Sequence, residues 1–293
     1  MTEHAPPVPV VGMRPRNRNV RKDLRLVARN VAAIALTLPF LYPFYFLVIT
    51  AFKSNQGYAE NQLGLPHPFV FTQFSSAWDS GSLGRALLNS TIAAGIGALV
   101  AIVLSAPAAD WCARTRSKTK SIVLGTVACI WMIPMIIWII PMFVELSRAH
   151  LTNNLLVLGF IYGVTNTPLG LYLLYAYLAD AVPGEIREAA IVAGAKPRHI
   201  FFMISLPISL PVLVTIAVLA FVWSWGDVLI AAVLLQSQQD WTVTLSATSF
   251  VSRYGVSIQQ EAAAAIISML PMVVIFAIGQ RGIVKGLTVG SGK

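Results

Sequence analysis

Charge is scarce in this sequence. Only 11% of its 293 residues are Asp, Glu, Lys or Arg, against about 25% in soluble domains. With 56% hydrophobic residues and a mean hydropathy of +0.71, that scarcity excludes an ordinary water-soluble domain and places the chain in lipid. Cysteine is nearly absent too. Cys112 and Cys129 fall at a loop edge and inside an apolar run, with neither paired nor metal-type spacing, and both read as packing residues. Histidine is sparse: His4, His67, His150 and His199 lie in the leader, in loops and in one polar segment, and none belongs to an H-E-x-x-H pair. No metal site is expected. There is no G-x-S-x-G elbow, and the "GLTVGSGK" of the C-terminus departs from a Walker phosphate loop at Leu287, where that loop needs glycine. Neither a catalytic residue nor an ATPase site of the chain's own is therefore expected.

What the sequence has in quantity is apolar length. Six runs approach or exceed the roughly 20 residues a helix needs to cross a bilayer: about 31–52, 86–109, 121–144, 155–178, 207–235 and 262–280. The first follows a basic leader, "MRPRNRNVRKDLRLVARN", but is too long for a signal-peptide core and lacks a small-residue cleavage site, so it reads as a retained span. The expected domain layout is a cytoplasmic leader over 1–30 and a transmembrane domain over 31–293. The net charge of +9 raises nucleic acid as a partner, yet the basic residues are dispersed at the ends of apolar runs and form no aromatic-interleaved face. Topology explains them better. With six spans, the leader, the loop 110–120, the segment 179–206 and the C-terminal tail fall on one side and carry 17 of the 21 lysines and arginines. Lys53, Arg85, Arg148 and Arg253 fall on the other, an asymmetry that makes both termini cytoplasmic.

The fold class expected is thus all-α: a polytopic membrane protein with six transmembrane helices, cytoplasmic termini and a cytoplasmic helix-turn-helix. Prolines inside the runs require neighbouring helices or water to satisfy the carbonyls they free. "GFIYG", Gly159 to Gly163, has the small-xxx-small spacing that lets helices approach closely, and is expected to serve packing within the chain.

The segment "EAAIVAGAKPRHIFFMISLP", Glu188 to Pro207, is the most polar interior stretch. Pro183 and Gly184 interrupt the fourth run; Glu185 and Glu188 then favour the first turns of a short helix through its dipole. Ile186, Ala189, Ala190 and Ala193 share one face of it. Gly194 suits the left-handed residue that ends that helix, and Pro197 suits the first turn of another. The alternatives are a partner-docking helix pair and a solvated connection.

These residues resemble a known motif. Glu188, Ala189 and Ala190, three residues, Gly194, nine residues, then Ile204, Ser205, Leu206 and Pro207 are similar to the EAA loop of the membrane-spanning subunits of binding-protein-dependent ABC importers. "AFKSN", "LLNSTIAA", "APAADWCAR", "WSWGDVLIAAVL" and "GQRGIVKGLTVGSGK" extend the resemblance to the shorter, six-span subunit of the maltose-type carbohydrate branch, over about 31–293. The resemblance implies that the loop, about 179–206, is a coupling helix docking into a cytoplasmic ATPase. Glu188 would face an arginine of the partner and Gly194 would form the turn, with Ala189, Ala190, Pro197, Ile204, Leu206 and Pro207 completing the motif. It further implies a contact of Gly286, Leu287 and Thr288 with the ATPase. The implied assembly contains a second permease subunit, two ATPase subunits that carry ATP and Mg, and an extracytoplasmic solute-binding protein, in a bacterial or archaeal inner membrane. The implied cargo is a sugar or sugar derivative.

One departure lies in the fifth run, where relatives usually have Trp-Asn-acidic and this chain has Trp225, Gly226 and Asp227. A carboxylate inside a span costs about 2.5 to 3.5 kcal/mol on insertion scales and marks a pathway or a buried partner. Asp227 is open to two readings: lining a translocation pathway with Trp223 and Trp225, or a structural role at a helix break near Gly226. The polar stretch from Gln236 to Glu261 is expected outside the membrane, touching the binding protein or forming an interfacial helix. A secondary transporter or channel of six spans is the alternative function, and it would have no use for a docking segment.

Overall fold

Small residues recur along Leu83–Arg114, and this stretch forms one unbroken helix of 32 residues, α4. Ala86, Ser90, Ala93, Ala94, Gly97, Ala101, Ser105 and Ala109 repeat every three or four positions and form its buried face. Against it lies α7, Leu155–Ala181, whose own glycines meet that face. A Cβ at Gly159 would stand 2.7 Å from the Cβ of Ile96, and one at Gly163 only 2.3 Å from the Cβ of Val100. The two backbones are therefore too close for any side chain between them. Lipid offers no hydrophobic drive for helix pairing, so dispersion across such seams is what holds the bundle. The "GFIYG" segment serves packing inside the chain, as its spacing predicts.

The computed structural model describes residues 20–115, 117–248 and 258–289, with side chains described for 27–115, 117–248 and 258–280. Every regular element among them is helical. They fall into two compact units, one ending at Phe46 and the other beginning at Leu47, each described by itself. In the first unit runs most of α1, Val20–Ala51, which keeps Pro39 and Pro43 within its length. In the second, α2 (Asn55–Glu60) and α3 (Thr72–Ser80) precede α4. Lys53 is buried, its ammonium donating to the carbonyls of Asn61 and Gln62 at 2.7 and 2.8 Å. Burial pushes its pKa down, and the two carbonyls it serves lie just past α2, so the side chain folds this segment back on itself.

Then come α5 (Lys118–Trp131), α6 (Met135–Arg148), α7, and the short helices α8 (Gly184–Val192) and α9 (Pro197–Ile200). A π-helical turn, Phe201–Ser205, leads through α10 (Leu206–Ile208) into α11 (Leu210–Gly226). The chain finishes with α12 (Leu229–Leu234), a 3₁₀ turn at Gln238–Asp240, α13 (Val243–Thr248) and α14 (Ile258–Val289).

Among the described residues, four stretches are single helices long and apolar enough to cross a membrane: Val27–Ala51, Leu83–Arg114, Leu155–Ala181 and Ile258–Gln280. The other two apolar runs depart from the continuous spans expected. The run 121–144 is divided at Pro134 into α5 and α6, which meet at 86°, because residue 133 before a proline avoids helical geometry and Pro134 takes the extended ψ of 134°. The run 207–235 is divided twice. Residues Pro197–Ile208 meet Leu210–Gly226 at 73°, and a second break follows Gly226. Among the described residues, spans therefore number four, or up to six where each bent pair counts as one.

The segment after α12 is not a mere turn. The amide of Asn89 on α4 donates to the carbonyls of Gln239 and Trp241, the hydroxyl of Ser90 accepts from the amide of Val243, and that of Ser246 donates to the carbonyl of Gly81. Trp241, Val243 and Ala247 are buried, so this polar stretch is built into the bundle through its backbone. Residues 249–257 of it lie outside the described residues.

Candidate functional site

The helix pair forms as its local chemistry dictates. Pro183 stands immediately before α8, Glu185 sits in its first turn, and the helix ends at Val192. Gly194 follows with φ of +80°, the left-handed region that disfavours a Cβ. Its amide donates to the carbonyl of Ile191 and that of Ala195 to Ala190, both at 2.9 Å, the paired bonds of a Schellman cap. Pro197 then opens α9 at its first position, where a missing N–H costs nothing. Two half-helices with a glycine turn result.

Exposure divides this pair sharply. Glu188, Ala189 and Gly194 are exposed, with Ile191 and Val192 60% and 88% exposed, so the described residues leave the apolar tip of α8 uncovered. Ile186 is exposed rather than packed. The expected small-residue face thus points away from the bundle. What points inward is Arg187, a residue first counted only as a topology charge. On the returning arm, Ile204 and Leu206 are half-buried and Pro207 is exposed, while Ser205 is buried and donates its hydroxyl to Asp110 at 2.6 Å. Gly286, Leu287 and Thr288 lie in the last turns of α14, and their side chains are outside those described.

The second cluster sits at the break in the fifth run. The Asp227 carboxylate accepts from the Tyr162 hydroxyl at 2.8 Å and from the amides of Ala231 at 3.0 Å and Ile230 at 3.4 Å. It therefore caps α12 and ties the break to α7. Trp225 is buried, stacked on Phe221 with ring centroids 5.4 Å apart, and its indole N–H donates to the Ser268 carbonyl. It borders a cavity of about 240 Å³ with Thr244, Glu261, Met269 and Met272. Trp223, 68% exposed, faces elsewhere. The structure does not bring Trp223, Trp225 and Asp227 onto one surface.

Sequence reasoning gave no role to Asp110 or Tyr162, and named Ser205 only as one member of the loop motif. Asp110 had a signal, being the one carboxylate in the 32 residues of α4, and the cost argument applied to Asp227 would have singled it out. Among the described residues no three His, Cys, Asp or Glu side chains gather where they could hold a metal ion.

Removing the Asp227 carboxylate while keeping its size separates the cap from other roles. Asp227→Ala is expected to lower stability by about 2–4 kcal/mol, since it strands a buried hydroxyl and two helix amides. Asp227→Asn keeps an acceptor and is expected to lose less than half of that. Thermal unfolding in detergent reads both, and equal midpoints for wild type and Asp227→Ala would remove the capping role.

Residues 99–289, which hold the helix pair and the Asp227 cap, match the family model described as "Binding-protein-dependent transport system inner membrane component". The chain belongs to this family. Such a membrane component is a transport subunit, and the secondary-transporter or channel alternative falls away. This permease is 32% identical to the melibiose/raffinose/stachyose import permease protein MelC of Bacillus subtilis over 93% of its own length and 98% of the relative's. It is 28% identical to the probable starch degradation products transport system permease protein AmyC of Thermoanaerobacterium thermosulfurigenes, over 89% and 94%. Its fold matches a chain of a bacterial ABC transporter involved in import of the acidic polysaccharide alginate, with a TM-score of 0.73 at 18% identity, covering 92% of the permease and 99% of that chain. The permease is thus a multi-pass membrane protein with the ABC permease fold.

Proposed function

We propose that this permease is the shorter subunit of an ATP-driven importer for a sugar or sugar derivative. In this reading six spans, each bent pair counting as one, leave both termini in the cytoplasm, with residues 1–30 as leader and 31–293 as the transmembrane domain. A second permease subunit completes the pathway, two cytoplasmic ATPases bind ATP and Mg, and an extracytoplasmic binding protein delivers the solute. The chain itself binds no cofactor and has no ATPase site. Its membrane is the inner membrane of a bacterium or archaeon.

The observation that carries this reading is the helix pair at 184–200 with an exposed apolar tip and a glycine turn, inside a chain of this family. Glu188, Ala189, Ala190, Gly194, Pro197, Ile204, Leu206 and Pro207 form the docking loop, and the end of α14 at Gly286, Leu287 and Thr288 adds a contact with the ATPase. Closure of the ATPases on ATP would drive the loop and rotate the spans between inward and outward access. Sugar as cargo is supported by the solutes in the relatives' names, melibiose, raffinose, stachyose and starch degradation products.

Affinity purification of the tagged chain in mild detergent, with mass spectrometry of what accompanies it, tests the assembly. An ATPase and a second permease are the expected companions. A chain that purifies alone while folded would count against the reading. The cargo is tested separately, by tryptophan fluorescence of the cognate binding protein titrated with raffinose and maltotriose, and no response to either would remove the sugar assignment.

A further inference from the structure

Asp110 is fully buried near the C-terminal end of α4 and touches the rest of the chain through two bonds. One oxygen accepts from the Nε of Arg114 at 2.8 Å on the same helix, and the other from the Ser205 hydroxyl at 2.6 Å in the π-helical turn. Ser205 in turn receives at its carbonyl the hydroxyl of Ser209, 2.6 Å away, so the bond to Asp110 is fixed to the start of α11. Arg187 of the first arm, α8, lies in the electrostatic field of the same carboxylate. Arg187 of α8 is 8% exposed, and its Nε and Nη2 are buried without acceptors. Burial pushes its pKa down, Asp110 acts to hold its charge, and Arg114 opposes it.

Donors and acceptors are unevenly spent here. A carboxylate offers about four lone-pair sites, and two bonds leave capacity over. The guanidinium of Arg187 has two buried, unpaired nitrogens, and among the described residues Asp110 is the carboxylate whose field holds its charge. Such a charge is retained only where its partner is close. We propose that Asp110 is a positioning residue for energy coupling, clamping both arms of the helix pair to α4: α8 through the charge of Arg187 and the π-helical turn through the hydroxyl of Ser205. The inference rests on the importer reading for its purpose and on the cluster alone for its geometry. The helix pair and the second span then move as one body.

The clamp is tested by pulsed electron spin resonance between labels at Val103→Cys on α4 and His199→Cys on α9, both exposed sites. Exposed Cys129 is changed to serine, and buried Cys112 is left in place. Distances are measured on the assembled transporter in lipid nanodiscs, without nucleotide and with ATP, beside ATP hydrolysis by the same sample. The wild type is expected to give one narrow distance in both states. In Ser205→Ala and Asp110→Asn the distribution is expected to broaden by about twofold or more while hydrolysis continues, and Ser205→Thr to restore the narrow form. A residue that only stabilises the fold would lower yield and leave the distribution of the folded fraction unchanged. Narrow distances in Ser205→Ala overturn the proposal, and this variant decides alone if Asp110→Asn does not accumulate. If no ATPase assembles with the wild-type chain, the importer reading fails instead, and the same distances on the chain alone still decide the clamp.

Discussion

Replacing Gly194 by proline is expected to abolish ATP-driven uptake while leaving the chain inserted and folded. The native φ of +80° is out of reach for a ring that fixes φ near −65°, and proline also deletes the N–H that bonds to the Ile191 carbonyl. Left-handed strain on an ordinary residue costs about 1–2 kcal/mol, so Gly194→Ala should fall between wild type and proline. The damage stays local: Gly194 is exposed and a Cβ there would meet nothing within 4 Å. No core contact changes, but the angle between α8 and α9 does. Glu188→Ala, on the exposed side of α8, should likewise lose uptake without losing protein. The measurement is solute uptake normalised to membrane-inserted chain, together with the amount of ATPase retained on purification. Normal uptake by a well-expressed Gly194→Pro variant would sink the docking assignment.

The opposite separation is expected at Gly163, where Gly163→Leu should remove the folded protein itself. Its Cβ would lie 2.3 Å from the Val100 Cβ and 3.0 Å from the Gly97 carbonyl oxygen, and a backbone carbonyl cannot swing aside as a side-chain tip can. Overpacking of a tight interior costs about 1–3 kcal/mol and more where the backbone must shift. Here α4 and α7 would have to part along their length. Gly125→Leu is the control, because nothing lies within 4 Å of a Cβ on that exposed residue. The comparison is read as the monodisperse fraction after detergent extraction and its unfolding midpoint. Matching midpoints for the two leucine variants would show that the seam is looser than its geometry.

Local chemistry was legible in the sequence wherever one residue type answers one backbone demand. Gly194 in a left-handed turn, Pro197 opening a helix and Pro183 before α8 each follow from a single side chain and its φ. The seam at Gly159 and Gly163 was legible because close approach requires small residues at a fixed spacing. Direction was not. Hydropathy reports that 121–144 prefers lipid, and it contains no information on the 86° turn at Pro134, since Pro141 and Pro168 sit inside unbroken helices. Arg187 shows the same limit for charge. Counted by position it is one basic residue on the basic side, yet it is buried and in the field of Asp110, 77 positions earlier in the chain. Asp227 was singled out by cost, and the structure gives it the work of a cap, because the amides it serves appear only once the helix breaks.

The seam between α4 and α7 gives the molecule a lever. Asp110 holds the π-helical turn that follows the helix pair near one end of α4, and Asn89 grips the segment at Gln239 and Trp241 toward the other. At 1.5 Å per residue the two handholds are about 30 Å apart along one rod. Because α7 is pressed against that rod with no side chain between the backbones at Gly159 and Gly163, the rod resists bending where it would otherwise give. A tilt begun at the loop therefore arrives at the far end as a tilt, and the pivot is set by the spacing of glycines.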